Sequence, residues 1–263
     1  MKISVIGVGA MGGALVEGLL QIPEINPSDI TVSDPSEKAV NHFAHSGVSL
    51  STDNGAAALG ADIVVVVVKP WLVEQVLTNM RDALNLKEQI IIIIAAGVPS
   101  SSIKEWLDQD NGIKPRLFLA IPNTAIAVRE SMTFVVPVDS SPEDTRTIAD
   151  LFSQLGHCMV TEERLLAAGT TLASCGIAYA MRYVRASVEG GVEIGFKAKE
   201  AEQIVLQTVK GAVSLLQATG EHPEAAVDKV TTPGGVTIKG LNEMEHAGFT
   251  SAVIRGLKAG MKQ

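Results

Sequence analysis

Two uninterrupted runs of β-branched residues, Val64–Val68 and Ile90–Ile94, constrain the fold of this chain more than any other feature. Neither run alternates with polar residues, which is typical of central parallel strands covered by helices on both faces. Further strand patterns occur near 2–6, 30–33, 48–50, 116–121, 132–138 and 157–160, separated mostly by helical patterns near 11–20, 36–46, 71–84, 100–108 and 143–155. The alternation predicts an α/β Rossmann domain over 1–161, with a doubly wound, mostly parallel sheet.

The pattern changes after residue 161. Only helical spacing follows, near 163–172, 176–195, 198–218, 223–230, 236–246 and 249–261. The charge changes as well, because 1–161 holds 10 basic and 18 acidic residues, whereas 162–263 holds 11 of each. We therefore predict a second, all-α domain over 162–263. Its neutral, glycine-containing helices are a candidate dimerisation surface, and a bundle packed only on its own Rossmann domain is the alternative.

Composition excludes several classes of function. A net charge of −8 with no Lys/Arg block is unsuited to nucleic acid, which is bound through clustered positive charge. The longest apolar runs are far shorter than the roughly 20 residues of a membrane helix. The two cysteines, Cys158 and Cys175, form neither a disulfide framework nor a metal-ligand pattern. We expect a reduced, cytoplasmic protein without a metal site and without nucleic-acid or membrane partners.

The strongest local motif follows the first strand: Gly7-Val8-Gly9-Ala10-Met11-Gly12. A glycine pattern alone is weak, but this one lies between a strand and a helix, where it is typical of dinucleotide binding. Gly7 permits the tight turn, Gly9 lets the backbone approach a pyrophosphate, and Gly12 allows close helix–strand packing. The helix N-terminus then offers free N–H groups to the diphosphate.

Residues at the end of the second strand bear on the choice of dinucleotide. Asp34 stands 22 residues after Gly12, where a carboxylate accepts a hydrogen bond from a ribose 2′-hydroxyl and repels a 2′-phosphate. Alternatively, Asp34-Pro35-Ser36-Glu37 is a helix start, with Asp34 as N-cap. Ser33 could instead donate to a 2′-phosphate, with Lys38 as the only basic residue nearby. NADH and NADPH both remain open.

Three further loops follow predicted strands: Lys69-Pro70-Trp71, Ala95-Ala96-Gly97 and Pro122-Asn123-Thr124. Ligands of doubly wound sheets bind outside the carboxyl ends of the strands. Each loop alone is unremarkable in composition. Together they predict one cofactor and substrate mouth, where the small residues would let a flat ring lie against the backbone.

One loop of the helical part has a composition typical of an anion site: Thr231-Thr232-Pro233-Gly234-Gly235-Val236-Thr237. A Gly-Gly turn that opens a helix presents successive backbone N–H groups to a carboxylate. A plain interhelical loop is the alternative. No nucleophile–base pair and no carboxylate pair is evident, and hydride transfer can dispense with both because the nicotinamide carries the chemistry.

These motifs resemble those of pyrroline-5-carboxylate reductases over essentially the whole chain. The shared segments are the glycine motif, Val68-Lys69-Pro70, Ala95-Ala96-Gly97-Val98, Pro122-Asn123-Thr124, Val230–Ile238 and Glu245-His246-Ala247-Gly248-Phe249. The resemblance implies NAD(P)H-dependent reduction of L-1-pyrroline-5-carboxylate to L-proline, the last step of proline synthesis. It also implies a helical domain that interlocks two subunits in a homodimer or larger ring.

The resemblance assigns roles to individual residues. Thr237 matches the family threonine that hydrogen-bonds the substrate's ring nitrogen, and the nest formed by Thr232, Gly234, Gly235, Val236 and Thr237 would hold the carboxylate. Ser33 and Asn54 match positions that contact the adenosine end. The remaining cofactor residues would be Gly7–Gly12, Asp34, Val67, Val68, Lys69, Pro70, Ala95, Ala96, Gly97 and Asn123. The family favours NADPH, whereas Asp34 favours NADH.

The chain also departs from the family. Ala173-Ser174-Cys175-Gly176-Ile177-Ala178-Tyr179 stands where a Ser-Gly-Ser-Gly-Pro-Ala-Tyr-like run is usual. Two rival functions remain: another Rossmann imine or β-hydroxyacid reductase, and a non-catalytic dinucleotide sensor. A hydroxyacid enzyme is expected to carry a lysine on the long helix over 174–196, which has Arg182 and Arg185 but no lysine. A sensor has no need of the loop over 231–237.

Overall fold

The strands of the chain form one eight-stranded sheet. A computed structural model describes residues 1–109 and 111–261. The strands are β1 (Ile3–Ile6), β2 (Ile30–Ser33), β3 (Ser49–Ser51), β4 (Ile63–Val66), β5 (Ile90–Ile93), β6 (Arg116–Ile121), β7 (Ser131–Val138) and β8 (Gly156–Val160). Their order across the sheet is β3-β2-β1-β4-β5-β6-β7-β8. All neighbours are parallel except β6 and β7, which are antiparallel.

The order of the strands reverses between β1 and β4. The chain moves from β1 through β2 to β3 and then returns to the other side of β1, so β1 and β4 flank the switch point at which doubly wound sheets bind ligands. The predicted doubly wound, mostly parallel Rossmann sheet is confirmed. The one antiparallel pair follows from the short connection Pro122–Glu130 between β6 and β7, which leaves no room for a crossover helix.

Helices cover both faces of the sheet. They are α1 (Ala10–Leu19), α2 (Glu37–Asn41), α3 (Asn54–Ala58), α4 (Val73–Met80), α5 (Ser100–Leu107) and α6 (Pro142–Ser153). Val65 and Ile92 belong to one buried core with α1 and α6, while Val64 and Ile91 belong to a second core with α3, α4 and α5. Alternate residues of β4 and β5 therefore enter opposite cores, which explains why both runs are wholly apolar.

The chain divides into two compact units, Met1–Ser174 and the residues from Cys175 onward. The sequence pattern placed the division after residue 161. The intervening segment consists of a 3-10 turn (Glu163–Leu165), α7 (Leu166–Gly169) and a π-helical turn (Thr170–Ser174), and it packs with the first unit. The predicted helical structure over 163–172 is present, but helical periodicity does not reveal on which unit a helix packs.

The second unit contains helices only, among the residues that the structure describes. They are α8 (Gly176–Glu193), α9 (Ala198–Thr219), α10 (Pro223–Lys229), α11 (Val236–His246) and α12 (Phe249–Gly260). Among its described residues, Val188 and Ala201 are the only buried apolar ones. Within residues 1–109 and 111–261, no helix combines the length and hydropathy required to cross a bilayer.

Candidate active site

The turn between β1 and α1 has the backbone conformation that its glycines predict. Gly7 has φ +91°, and a Cβ there would lie 2.4 Å from the Val67 carbonyl oxygen. A Cβ on Gly12 would lie 1.9 Å from the Gly7 carbonyl oxygen. Gly9 has no atom within 4 Å of its Cβ direction. Gly7 and Gly12 are thus required by packing, while Gly9 faces open space that a ligand can occupy.

The N-terminus of α1 is available to an anion. Its N-cap is Gly9, which has no side chain, and the first turn contains no acidic residue. The N–H groups of the first turn therefore lack intrahelical acceptors and point outward with the positive end of the helix dipole. This arrangement suits a dinucleotide diphosphate.

A cleft of about 510 Å³ opens beside this turn. Eleven of the predicted cofactor residues line it: Gly7, Gly9, Ala10, Met11, Asp34, Val67, Val68, Lys69, Pro70, Ala95 and Ala96. The loops after β1, β2, β4 and β5 therefore meet at one edge of the sheet, as their positions at strand ends predict. Ile121, Pro122 and Thr124 extend the lining to the end of β6.

The order of the strands gives the cleft two distinguishable ends. Asp34 follows β2 on one side of β1, while Pro122 and Thr124 follow β6 on the other side, beyond β4 and β5. A dinucleotide with its diphosphate at α1 would place its adenosine towards β2 and its nicotinamide towards β4–β6. Lys69 and Asp34 are the charged residues of the lining, and the walls at Ala95 and Ala96 are small.

The carboxylate of Asp34 is held by two backbone N–H groups. Val8 N donates to Oδ2 at 3.1 Å, and Ser36 N donates to Oδ1 at 2.9 Å. The alternative interpretation of Asp34 as a helix N-cap is wrong, because α2 begins at Glu37 with Ser36 as its N-cap. Asp34 instead fastens the glycine-rich turn to the end of β2 while still facing the cleft.

Ser33 and Asn54 form a pair behind the cleft. The Ser33 side chain is fully buried, and its hydroxyl donates to Asn54 Oδ1 at 2.8 Å. Asn54 is therefore the hydrogen-bond partner of this hydroxyl, and contact of Ser33 with the cofactor stays a prediction. Asn54 lies in the first turn of α3, whose N-cap is Asp53. This helix is only five residues long, too short to give a helical periodicity in the sequence.

Six predicted cofactor residues do not line this cleft: Val8, Gly12, Ser33, Asn54, Gly97 and Asn123. Val8 lines a neighbouring groove with Ser36 and Lys38, and Gly12 packs on Gly7. The Asn123 side chain is buried; its Oδ1 accepts from Ala125 N at 3.0 Å, and its Nδ2 donates to Ala173 O at 3.5 Å. Asn123 therefore shapes the adjoining loops.

Sequence reasoning missed Thr170 and Ser174, which line the cleft from the π-helical turn. Thr170 donates its hydroxyl to Leu166 O at 2.7 Å. Single π-helical turns are rare and often mark functional sites. Only the i,i+4 spacing of these two hydroxyl residues hinted that they share a face, and such spacing is common in helices that have no site.

Neither a metal cluster nor a nucleophilic thiol is evident at this cleft in the described parts of the chain. No group of three or more His, Cys, Asp or Glu residues there is arranged to hold a metal ion. Burial, reinforced by the charge of Asp150, raises the pKa of the Cys158 thiol to about 11, so the thiol stays protonated at neutral pH.

In the helical unit, residues 231–237 form a tight turn followed by a free helix end. Gly235 N donates to Thr232 O at 3.0 Å across Pro233 and Gly234, and Gly234 has φ +71°, as a type II turn requires. Gly235 is the N-cap of α11 and provides no side-chain acceptor. Thr232, Val236 and Thr237 are exposed. The first N–H groups of α11 can therefore receive an anion.

The chain matches two family models. Residues 163–263 match pyrroline-5-carboxylate reductase dimerisation, and residues 2–97 match the coenzyme F420-dependent NADP oxidoreductases. It is 35% identical over 97% of its length to pyrroline-5-carboxylate reductase of Methanosarcina acetivorans, 94% of which is covered. It is also 35% identical to pyrroline-5-carboxylate reductase 1 of Dictyostelium discoideum, of which the chain spans about half (48%).

Solved structures give the same result. A pyrroline-5-carboxylate reductase from Coxiella burnetii is 28% identical and superimposes with a TM-score of 0.85 over 99% of this chain and 96% of its own. The Plasmodium falciparum pyrroline carboxylate reductase, crystallised with NADP bound, shares the fold with a TM-score of 0.90 at 24% identity, over 100% and 96% of the two chains.

The doubly wound sheet, the glycine-rich turn and the cleft define a Rossmann oxidoreductase that depends on a nicotinamide dinucleotide. Such an enzyme needs little acid–base machinery of its own. The full-length likeness to the Methanosarcina enzyme is decisive for the particular type: the chain belongs to the pyrroline-5-carboxylate reductase family, whose members act on a C=N bond. The family resemblance seen in the sequence is confirmed.

Proposed function

We propose that this chain reduces L-1-pyrroline-5-carboxylate to L-proline, with the dinucleotide in the 510 Å³ cleft and the substrate carboxylate at the loop over 231–237. The observation that carries the assignment is the free N-terminus of α1 within a cleft whose far end is walled by small residues. The family relationship supports the reaction, and this geometry supports the proposed location of the dinucleotide.

The residues of the cleft fit a dinucleotide. The space beside Gly9 that a Cβ would fill is the space that a diphosphate needs for close approach. Lys69 adds positive charge after β4, and Ala95 and Ala96 admit a flat ring after β5. A bound reduced nicotinamide would supply the hydride for the imine carbon; the ring nitrogen, protonated from solvent as an iminium, thereby becomes the amine of proline.

The loop over 231–237 fits a small anionic imine. The N–H groups at the start of α11 would bind the carboxylate, and the exposed Thr237 hydroxyl would hydrogen-bond the ring nitrogen. A hydroxyl suffices for this role because it orients the ring without having to change its charge. Thr237 would thereby hold the imine carbon in position for the hydride.

Replacing Thr237 by Ala should lower kcat/KM for pyrroline-5-carboxylate about 100-fold, an amount equal to roughly 2.7 kcal/mol of transition-state stabilisation. The Kd of NADH and NADPH should stay unchanged. Proline formation with each cofactor, followed by loss of absorbance of the reduced nicotinamide, is the measurement. Thr231→Ala is the matched control, since its hydroxyl donates to Val227 O at 2.7 Å within the protein. Wild-type kinetics for Thr237→Ala would refute the role.

We also propose that the chain prefers NADH to NADPH. The Asp34 carboxylate faces the cleft at the β2 end, where the 2′-phosphate of NADPH would lie. The negative charges of the carboxylate and the phosphate would repel each other there. The buried Ser33 hydroxyl offers no compensating donor. The NADP bound to the Plasmodium enzyme belongs to a chain of 24% identity, which does not fix the residue at this position.

Asp34→Asn is the sharpest test of that preference, because the amide removes the charge and keeps an oxygen for Val8 N. The ratio of kcat/KM with NADPH to that with NADH should rise at least about tenfold, equal to about 1.4 kcal/mol. Asp34→Ser should act in the same direction. An unaltered ratio in both variants, with normal folding, would leave Asp34 as a residue that only holds the glycine-rich turn.

We further infer that the helical unit joins two copies of the chain. Its apolar groove of about 680 Å³ is lined by Tyr179, Tyr183, Met244, Phe249 and Val253, and these large side chains remain exposed or half-exposed. A monomer rarely leaves so much apolar surface in water. The match to a dimerisation family over 163–263 supports a homodimer or a larger ring as the active assembly.

A further inference from the structure

Glu163 caps a helix that lies far from it in the sequence. Its Oε1 accepts from Ser100 N at 2.8 Å, and its Oε2 accepts from Ser100 Oγ at 2.6 Å. Ser100 is the first residue of α5, whose N-cap, Pro99, has no side-chain oxygen to offer. Both carboxylate oxygens are therefore engaged with one residue at the positive end of a helix.

The two segments joined by this contact both lead to the cofactor cleft. Ala95 and Ala96 line the cleft five and four residues before Ser100, and Thr170 and Ser174 line it seven and eleven residues after Glu163. The contact thus links the two segments that line the nicotinamide end of the cleft, which lies beyond the ends of β4, β5 and β6.

The rest of the segment has its own anchors. A Cβ on Gly169 would lie 2.8 Å from the Phe134 ring, so Gly169 packs tightly on β7. Ala173 O accepts from Asn123 Nδ2 at 3.5 Å. Leu166 packs on the same apolar core as Ala95 and Val98, so the Glu163–Ser100 contact adds a directional polar link to apolar packing between this segment and the loop after β5.

We propose that Glu163 is a positioning residue for hydride transfer. By binding Ser100, it fixes the distance between Ala95 and Ala96 on one side of the cleft and Thr170 and Ser174 on the other, and so fixes the position of the nicotinamide ring between them. The inference rests on the dinucleotide site proposed above. Glu163 touches no ligand in this role. It acts on the ring end of the cofactor and leaves the adenosine end, near Asp34, unaffected.

Comparing NADH with ADP-ribose, which lacks the nicotinamide ring, isolates this effect in the full-length protein. In Glu163→Ala the Kd of NADH should rise and kcat should fall, each about tenfold, because a ring displaced by about 1 Å loses much of its orientation. The Kd of ADP-ribose should stay within about twofold of wild type, since its binding groups are untouched. Isothermal titration and steady-state kinetics provide the three values.

Graded variants separate positioning from folding. Ser100→Ala keeps the backbone N–H and should give a smaller effect of the same kind, while Ser100→Thr keeps both donors and should behave as wild type. Asp144→Asn is the matched control: it removes a carboxylate that caps α6 and pairs with Arg116 at the start of β6, and it should lower the melting temperature without changing the NADH to ADP-ribose ratio.

Equal weakening of NADH and ADP-ribose in Glu163→Ala, or unchanged kcat and Kd in both Glu163→Ala and Ser100→Ala, would overturn the proposal. If Glu163→Ala does not fold, Ser100→Ala alone decides between these outcomes. The ratio of the two affinities does not depend on turnover. A wild-type protein that binds NADH but forms no proline would therefore refute the proposed reaction and leave this test intact.

Discussion

The N-terminal unit and the helical unit bury their apolar side chains to very different extents. In the first, every residue of β1, β4 and β5 is buried between two layers of helices. In the second, α8 contributes a single buried residue, Val188, and α9 contributes Ala201. The Rossmann unit can thus satisfy its hydrophobic residues within one chain, whereas the helical unit presents surface suited to a second copy.

A substitution at Gly12 should destabilise the Rossmann unit, which buries its apolar residues within one chain. The Cβ of Gly12→Ala would overlap the Gly7 carbonyl oxygen at 1.9 Å, so the turn and α1 must separate. We expect a loss of about 3 kcal/mol in unfolding free energy and no measurable NADH binding. Thermal denaturation and titration with NADH check both effects.

Gly9→Ala is the informative partner of that variant. Its Cβ meets nothing within 4 Å, so the unfolding free energy should change by less than about 1 kcal/mol. The same Cβ would occupy the space of the diphosphate, and NADH binding should weaken strongly. A Gly9→Ala protein with normal NADH affinity would show that the diphosphate does not lie at this turn.

Phe249→Glu should disrupt self-association through the helical unit. The Phe249 ring packs edge-on against Tyr183, with 6.4 Å between centroids, and 43% of Phe249 is exposed in the single chain. Placing a charge there should weaken self-association more than about thirtyfold, a typical cost of losing an aromatic hot spot. Light scattering over a dilution series measures the change.

Leu59→Glu is the control for exposure alone. Leu59 is 66% exposed and lies in the Rossmann unit, outside the helical groove. Its replacement should leave the oligomer and the melting temperature unchanged. Equal effects of Leu59→Glu and Phe249→Glu would contradict the assignment of association to the helical unit.

The smallest effect is expected at Asp144, where stability depends on pH. A hydrogen-bonded ion pair with Arg116 lowers the pKa of Asp144 below the usual value of an aspartate, and hydrogen bonding with Ser141 lowers this pKa further. The carboxylate therefore stabilises the fold above about pH 4, and that contribution is lost as the pH falls towards its lowered pKa. Asp144→Asn should cost about 1–2 kcal/mol at pH 7 and much less at pH 3, measured by urea denaturation. A cost independent of pH would argue against the ion pair.

The sequence predicts those parts of the molecule in which residue type alone determines the local structure. The runs Val64–Val68 and Ile90–Ile94 suit a strand buried on both faces, and Gly7 and Gly12 occupy positions where a Cβ collides with backbone. Local pattern predicts such features, because the two strands must be apolar on both faces and a side chain at Gly7 or Gly12 would collide with backbone.

Long-range contacts account for what the sequence did not predict. Asp34 satisfies the rules for a helix N-cap, yet its carboxylate accepts from Val8 N, 26 residues away. Thr170 and Ser174 face the cleft because their segment packs with the Rossmann unit, and helical periodicity contains no information about such packing. The roles of Thr237 and of the other ligand-binding residues stay predictions until ligands are bound.

The contacts that hold the glycine-rich turn have a consequence for the kinetics of binding. Gly7 N donates to Ser33 O at 2.7 Å and Val8 N donates to Asp34, so two hydrogen bonds within the protein hold the turn against the end of β2. A preorganised site loses little conformational entropy on association. Dinucleotide capture should therefore follow a single exponential whose rate rises linearly with concentration, and differences in affinity among cofactors should arise in the rate at which each one leaves.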